Sequence, residues 1–558
     1  MLSYIQRSHT IPRPSTRNEG LELGLKHPSP VPKNWPKVDT SKVLVGIIDT
    51  GGFDFAHPDF VKDGKTRFLA IWDQGGRDFA EPQRTTGRHE QGKKTLYGSE
   101  LKKEHLDAAM EQAASHGGFD PVELMPQSQM KRGSHATHVA SIAAGNNSFA
   151  PDAAIAGVLI SLPDEDWDSS KSFYDTTRIT DAVDYLVNLS EKEGYDYLSI
   201  NISLGTNGGP HDNSTPMNRW IDYVLTKPGR CISVAAGNAG QETGTGPSDI
   251  GYMLGRIHTS GKFEATGLEK DLEWVVVGNG IEDISENELE IWYAPQDRIA
   301  VSVKPPGEPW TKIIEPGEYI QNKFTKKRSV ISIFNRIYDP GNGWNKISVH
   351  LTPFYGEDSI IGITPGLWKV RIIGRAIRDG QYHGWIERDD PVLRESGEGN
   401  ELWQFPSFFS KKTNVDHSSI STLACGDRVI AVANYDSREE RANISSSQGP
   451  TRDGGQKPDI AAPGTSIWAA NGFDREIPWT AKTGTSMASP YVASIAAAML
   501  ANSDKSLTSS QILGIIRRTA RPRVGDTYHW QNNIGFGLID PAASIKQAFT
   551  AGNMVDKD

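Results

Sequence analysis

Gly484-Thr485-Ser486-Met487-Ala488-Ser489-Pro490, running straight into Tyr491 to Leu500, is the stretch from which this chain is best read. Its second half is apolar and rich in alanine, which predicts a helix buried on all sides. Its first half is glycine, threonine and serine, which predicts an irregular loop. Ser486 therefore stands where a loop turns into a buried helix, beside backbone N–H groups that have no intrahelical acceptor. A hydroxyl held in that way is presented as a nucleophile.

Working outward, Val43 to Ile48 is apolar on both faces, as a central parallel strand must be. Asp49-Thr50-Gly51 follows at its carboxyl end, where open α/β sheets place their ligand crevices. His135, in Ser134-His135-Ala136-Thr137-His138-Val139-Ala140, heads a run of small residues that permits close helix packing. His138, about one turn on, reads as a packed structural histidine. Ser233-Val234-Ala235-Ala236-Gly237-Asn238 is a second buried strand that ends in a polar residue. Taken singly, each motif is ordinary, because Asp-Thr-Gly and Gly-Asn are common turn sequences. Together, on the predicted kinds of element, they assign roles. Asp49 orients an imidazole, His135 moves the proton, Ser486 attacks, and Asn238 with a helix N–H holds the oxyanion.

These segments resemble the Asp-Thr-Gly, His-Gly-Thr-His and Gly-Thr-Ser-Met-Ala motifs of the subtilisin-like serine peptidases, the subtilases. The resemblance covers about residues 41 to 245 and 414 to 550 and extends to Lys457 to Gly464, similar to the loop before the nucleophile. It implies that Ser203, Leu204 and Gly205 form a substrate-binding strand, to which an extended peptide adds through backbone hydrogen bonds. It also implies that Ala235, Ala236 and Gly237 wall the primary specificity pocket. The long segment between Asp49 and His135, with Ile71-Trp72-Asp73-Gln74 and Tyr97-Gly98, looks like Csp-type subtilases. There are departures. Ala136 and Ser141 replace glycines of the histidine motif, Gly51-Gly52-Phe53 carries an extra residue, and the loop Asn146 to Pro151 is too short to wrap a calcium ion. No metal or other cofactor is expected, and Asp59 reads as a turn or helix-capping residue.

The expected fold is α/β, a doubly wound, mostly parallel sheet with an inserted all-β, jelly-roll-like domain. Ile179, Ala182, Val183, Leu186 and Val187 recur at helical spacing before Gly194. From about Thr259 to Glu387 the texture changes to short alternating strands, Leu289 to Tyr293, Ile299 to Val303, Ile347 to Leu351 and Leu367 to Ile372, punctuated by Pro-Gly turns. The α/β pattern returns near His417, with a strand at Val429 to Val432 and a capping box at Thr508 to Gln511. The divisions are an N-terminal extension (1–40), a catalytic domain in two parts (41–245 and 414–551), the β-insertion (246–413) and a tail (552–558).

The 558 residues carry a net charge of -10 spread over both signs, with 37% hydrophobic and 23% charged residues. That balance excludes a basic nucleic-acid binder. No run suits a signal peptide or a membrane span, so a cytoplasmic location is expected. Cys231 and Cys425, each in an apolar, strand-like segment, read as buried thiols. The reading is a serine endopeptidase acting on polypeptides through an acyl-enzyme. A regulatory protein at the β-insertion, and an N-terminal extension lying over the body or in the cleft around Ile11-Pro12 or Pro28 to Pro36, are further expectations. The alternatives are a scaffold that binds a protein without cutting it and an enzyme that processes itself once.

Overall fold

In the computed structural model, Val43–Asp49 is a strand buried along its whole length. The structure describes residues 38–82, 97–160, 177–240, 253–356, 360–388, 392–396, 399–503, 506–523 and 525–553. The expected cleft-binding stretches of the N-terminal extension lie outside them. The strand pairs in parallel with Ala154–Leu159 on one side and Tyr197–Ile202 on the other. The full sheet has nine strands, in the order Arg441–Ala442, Ile430–Asp436, Arg230–Ala235, Tyr197–Ile202, Val43–Asp49, Ala154–Leu159, Phe68–Asp73 and Ser99–Lys102, with Ile460–Pro463 beside Ile430–Asp436. Only Ser99–Lys102 and Arg441–Ala442 run antiparallel to their neighbours.

Both faces of the sheet are covered, which is why its strands read as continuous apolar runs rather than alternating ones. Leu44 and Ile48 pack with helices Thr177–Lys192 and Pro216–Val224, while Val43, Val45 and Ile47 pack with the histidine helix His135–Ala144. Gly46 lets the first of these helices approach, since a Cβ there would sit 2.7 Å from Leu186 Cδ1. Truncating Leu186 to alanine at so tight a contact costs about 2–5 kcal/mol. The serine helix Thr485–Ala501 packs across Val43–Asp49, Tyr197–Ile202, Arg230–Ala235, Ile430–Asp436 and Ile460–Pro463 and is almost wholly buried.

Besides the two-stranded pairs Phe354–Tyr355 with Ile360–Ile361 and Val392–Ser396 with Gly399–Gln404, the inserted segment builds two large antiparallel sheets. One has the order Arg298–Lys304, Gly366–Ala376, Glu269–Val276, Phe408–Phe409; the other has Tyr319–Phe324, Val330–Arg336, Asn345–Thr352, Asn287–Tyr293, Gln381–Arg388, His258–Lys262. Alternate residues, among them Trp274, Leu289, Ile291, Ile347, Val349, Trp368 and Phe409, form one apolar cluster between them. The opposite side chains of the six-stranded sheet meet the α/β body. Glu387 Oε2 accepts from Thr206 Oγ1 at 3.0 Å, Glu290 Oε2 accepts from the amide of Gly209 at 2.7 Å, and Trp385 Nε1 donates to Ser418 O at 2.7 Å. Burial pushes Glu290 upward, but the Lys346 ammonium at 2.6 Å holds it down at about 2.

Two details differ from the sequence expectation. Cys231 lies in the strand Arg230–Ala235, but Cys425 closes a 3-10 turn, Thr422–Cys425, that packs against that strand and Ile430–Asp436. Both thiols are free and buried, and burial pushes Cys231 up to about 12. Ser141, expected as a small filler, donates to Asp59 Oδ2 at 2.6 Å and accepts from the amide of Ala470 at 3.1 Å. Asp59 Oδ1 takes the amide of Asn146 at 3.0 Å, so the carboxylate ties down the end of the histidine helix. Beside it the buried Arg67 guanidinium donates to the carbonyls of Asp59, Ala144 and Ala153.

A cluster of histidines lies at the junction of insertion and body. His258 and His383 stack with Nε2 and Nδ1 3.1 Å apart, both rings lie against Trp385, and His417 lies 5.4 Å from His258. Burial holds His258 well below the ordinary histidine range and His383 at about 4, with Arg452 adding to the latter. Both rings are therefore neutral in the fold, whereas in the unfolded chain they take a proton as pH drops through about 6.5. The unfolded state then binds more protons, so the stability these rings contribute is full above about pH 6.5 and is lost below it, at about 1.4 kcal/mol per pH unit per ring. Urea midpoints should fall between pH 7 and pH 5, and the fall should be shallower in His383→Gln. An unchanged slope in that variant would count against this assignment.

Candidate active site

Asp49 is the last residue of the central strand, and its carboxylate is fully buried. Oδ1 accepts from the amide of Thr50 at 2.6 Å and from His135 Nδ1 at 2.7 Å, while Oδ2 has no hydrogen-bond partner among the described residues. The chain just after it is fixed to the start of the histidine helix. Ala136 donates its amide to Thr50 O at 3.1 Å, Ser134 Oγ donates to Gly52 O, and Ser134 also caps the helix by accepting from the amide of Thr137. Gln129 takes the amide of Gly51 at 2.8 Å and Gln127 that of Phe53 at 2.8 Å. Gly52 is required in this loop, because at φ 93 a Cβ would lie 2.2 Å from Gln129 O. The extra residue after Asp49 is thus absorbed in a loop that docks strand end onto helix start. Asp49 and His135 meet because their backbones do.

With Nδ1–H donated to Asp49, the other ring nitrogen of His135 is the basic one. His138 is buried one turn on, with Nε2 at 3.1 Å from both Ile467 O and Thr480 O. Burial keeps it neutral, well below the ordinary histidine range, so it packs as a structural residue.

Ser486 occupies the first turn of its helix and is only 2% exposed. Pro490 sits four residues later and has no N–H, so it cannot make the intrahelical bond to Ser486 O. Ser203 Oγ supplies that bond instead at 3.0 Å, and Ser486 Oγ donates in return to Ser203 O at 3.3 Å. The link continues inward, since Asn201 Nδ2 donates to Ser203 Oγ and Ser489 Oγ donates to Asn201 Oδ1. A file of buried hydrogen bonds therefore fastens the serine helix to the strand Tyr197–Ile202. That strand pairs with the Asp49 strand in a register of Ile48 with Ile202, which puts Ser203 beside Asp49. In this arrangement the hydroxyl of Ser486 is turned toward Ser203.

Asn238 follows the strand Arg230–Ala235 and is held by its own oxygen. Oδ1 accepts from both the amide and the hydroxyl of Thr485, at 3.1 and 3.0 Å, which leaves the Nδ2 donors facing away from that contact. Thr485 Oγ1 also accepts from the amide of Gly237 at 3.3 Å. Ser203, Leu204 and Gly205 lie along one side of this region and Ala235, Ala236 and Gly237 along the other, all of them buried. Asp49, Ser203 and Asn238 thus stand at or just beyond the carboxyl ends of three adjacent strands, with His135 bonded to the first, Ser486 to the second and Thr485 to the third.

Sequence reasoning passed over four residues here. Thr485 lies within the serine motif but was read there only as part of a loop, and Gln127 and Gln129 carry no motif. Lys482, most of whose side chain is buried, lies close enough to Asp49 to feel its charge, and burial pulls its pKa below the ordinary lysine range against that attraction. Its position four residues before Ser486 is the one signal that could have found it.

Comparison with known proteins bears on the family and the fold. The profile of the subtilase family matches residues 40–317 and 396–537. Subtilisin DY of Bacillus licheniformis is 35% identical over 120 residues, which make up 22% of this chain. The aligned part spans only 38% of that relative's length. The structure of the Clostridium perfringens CspB protease superposes with a TM-score of 0.70, covering 92% of this chain and 94% of that one at 22% identity. At that identity the likeness is one of fold.

Proposed function

The chain belongs to the subtilase family, and from that premise we propose that it is a serine endopeptidase that cuts polypeptides through an acyl-enzyme. The observation that carries the reading is the 2.7 Å bond from His135 Nδ1 to a wholly buried Asp49 carboxylate, beside a serine in the first turn of a buried helix. The carboxylate fixes the tautomer, so the basic nitrogen is Nε2, and its charge stabilises the imidazolium formed as the proton leaves the serine.

Rotation about the Cα–Cβ bond of Ser486 exchanges the bond to Ser203 O for one to His135, as an extended peptide enters beside Ser203 to Gly205. Catalytic hydrogen bonds are often loose before substrate binds and tighten only in the complex. Ser486 Oγ attacks the carbonyl carbon, and the oxyanion is held by Asn238 Nδ2 and the amide of Ser486. His135 passes the proton to the leaving amine, and water then hydrolyses the ester by the same route in reverse. Thr485 acts as a positioning residue, since it grips the oxygen of Asn238 and so aims the nitrogen.

A scaffold that binds polypeptides without cutting them is favoured by one observation, the hydroxyl of Ser486 being bonded to the carbonyl of Ser203. A fluorophosphonate probe separates the two readings, because only an activated serine is phosphonylated. The expected result is stoichiometric labelling that is lost in Ser486→Ala, with multiple turnover on an added protein. An unlabelled, folded protein would refute the proposal. Asn238→Ala should lower kcat by roughly 10²–10³ with KM within a few-fold, a magnitude borrowed from the matching donor of subtilisin rather than derived from this chain. Thr485→Val should lower kcat by a smaller factor, again with KM little changed. Equal losses in kcat and KM would instead indicate a general distortion of the site.

A further inference from the structure

The antiparallel hairpin of Ile467–Ala470 and Trp479–Lys482 lies against the histidine helix. His138 Nε2 fastens both of its strands there, at 3.1 Å from Ile467 O on one and 3.1 Å from Thr480 O on the other. Residues directly opposite in such a pair point to the same face. Lys482 is opposite Ile467, and the Ile467 side chain packs on the apolar cluster that holds Ala136, Val139 and Ala140 of the helix. The register therefore turns the stem of Lys482 toward the helix that carries His135.

Lys482 is half-buried and makes no hydrogen bond or ion pair among the described residues. Its charge is felt by Asp49 and by His138. Asp49 is bonded to the His135 ring and His138 follows that ring by one turn, so an ammonium felt by both lies within reach of His135 as well. The other charges on the elements packed here are engaged elsewhere. Asp54 pairs with Arg475, Asp474 pairs with Arg132, and Asp59 and Arg67 lie at the far end of the helix. His57 Nε2 lies 2.8 Å from Pro478 O and burial holds that ring below the ordinary histidine range, while Lys131 is exposed. Ile467–Ala470 and the first turn of the serine helix carry no ionisable side chain.

We propose that Lys482 tunes the general base: its ammonium disfavours the imidazolium of His135 and so keeps the ring free to accept the serine proton at lower pH. This inference rests on the peptidase reading above. Asp49 and Lys482 then act in opposition, the carboxylate favouring the protonated ring and the ammonium the neutral one, and their balance sets the acid edge of activity. A unit charge about 8 Å from a titrating ring shifts it by roughly half to one unit where the effective dielectric lies between those of protein and water. Lys482 touches neither substrate nor reacting atoms and acts only through His135.

The test uses the full chain and reads His135 in two ways. In the Ser486→Ala background the ring signals of labelled histidine are titrated by NMR, with and without Lys482→Met. The His135 midpoint should rise by roughly half to one unit when the charge is removed. With Ser486 present, the ratio of wild-type to Lys482→Met kcat/KM should grow about 3- to 10-fold from the plateau to the foot of the acid limb, the same shift expressed as a rate. Lys482→Arg, which keeps the charge, should hold both readouts close to wild type, and Lys482→Gln is the neutral variant to use where methionine disturbs the fold. A midpoint that stays in place without the charge, or that moves as far in Lys482→Arg as in Lys482→Met, overturns the inference alone. A chain that takes no fluorophosphonate label loses the peptidase reading and this inference with it.

Discussion

A carboxylate buried from solvent, one oxygen of which has no hydrogen-bond partner among the described residues, is the constraint on which the rest of this structure turns. Leaving a buried acceptor unbonded costs about 1–3 kcal/mol, more when it is charged. Asp49 is nonetheless kept at the end of the central strand, where seven consecutive buried residues and two parallel neighbours leave the backbone no freedom. In the proposed reaction that rigidity has a use. A negative charge that cannot move stabilises a positive charge appearing on the ring bonded to it, with no reorganisation at the moment of reaction.

The same reasoning explains the serine. A proline in the second turn of a helix removes one backbone hydrogen bond, a defect of the kind that bends or breaks helices. Here the defect becomes an attachment point. The orphaned carbonyl of Ser486 takes the hydroxyl of Ser203, and the file through Asn201 to Ser489 binds helix to sheet in a region packed with alanine. Asn238 is aimed by a similar device, with its oxygen anchored to Thr485 so that only its nitrogen faces outward. The proposed nucleophile and the proposed oxyanion donor are thus both fixed by their non-reacting ends.

Much of this was legible in the sequence, for a physical reason. Asp49, His135, Asn238 and Ser486 each sit within a short segment whose neighbours declare the element type, so motif and context lie within a few residues. The inserted sheets were legible because alternation with period two is local too. What was hidden depends on contacts between distant segments. Glu290 and Glu387 look like ordinary solvated positions on alternating strands, yet they reach residues 81 and 181 positions away in the chain. Cys425 looked like part of a strand because its neighbours are apolar, yet it ends a turn packed against two strands that are distant or later in the chain.

The central claim is that Asp49 fixes the proton of His135 on Nδ1. Low-field proton NMR of the full chain, with histidine ring nitrogens labelled, tests it most directly. A strongly deshielded Nδ1–H resonance bonded to labelled nitrogen should be present in the wild type and in Ser486→Ala, and should disappear in His135→Ala and in folded Asp49→Asn. Its absence from the wild type, or its survival in Asp49→Asn, would contradict the account.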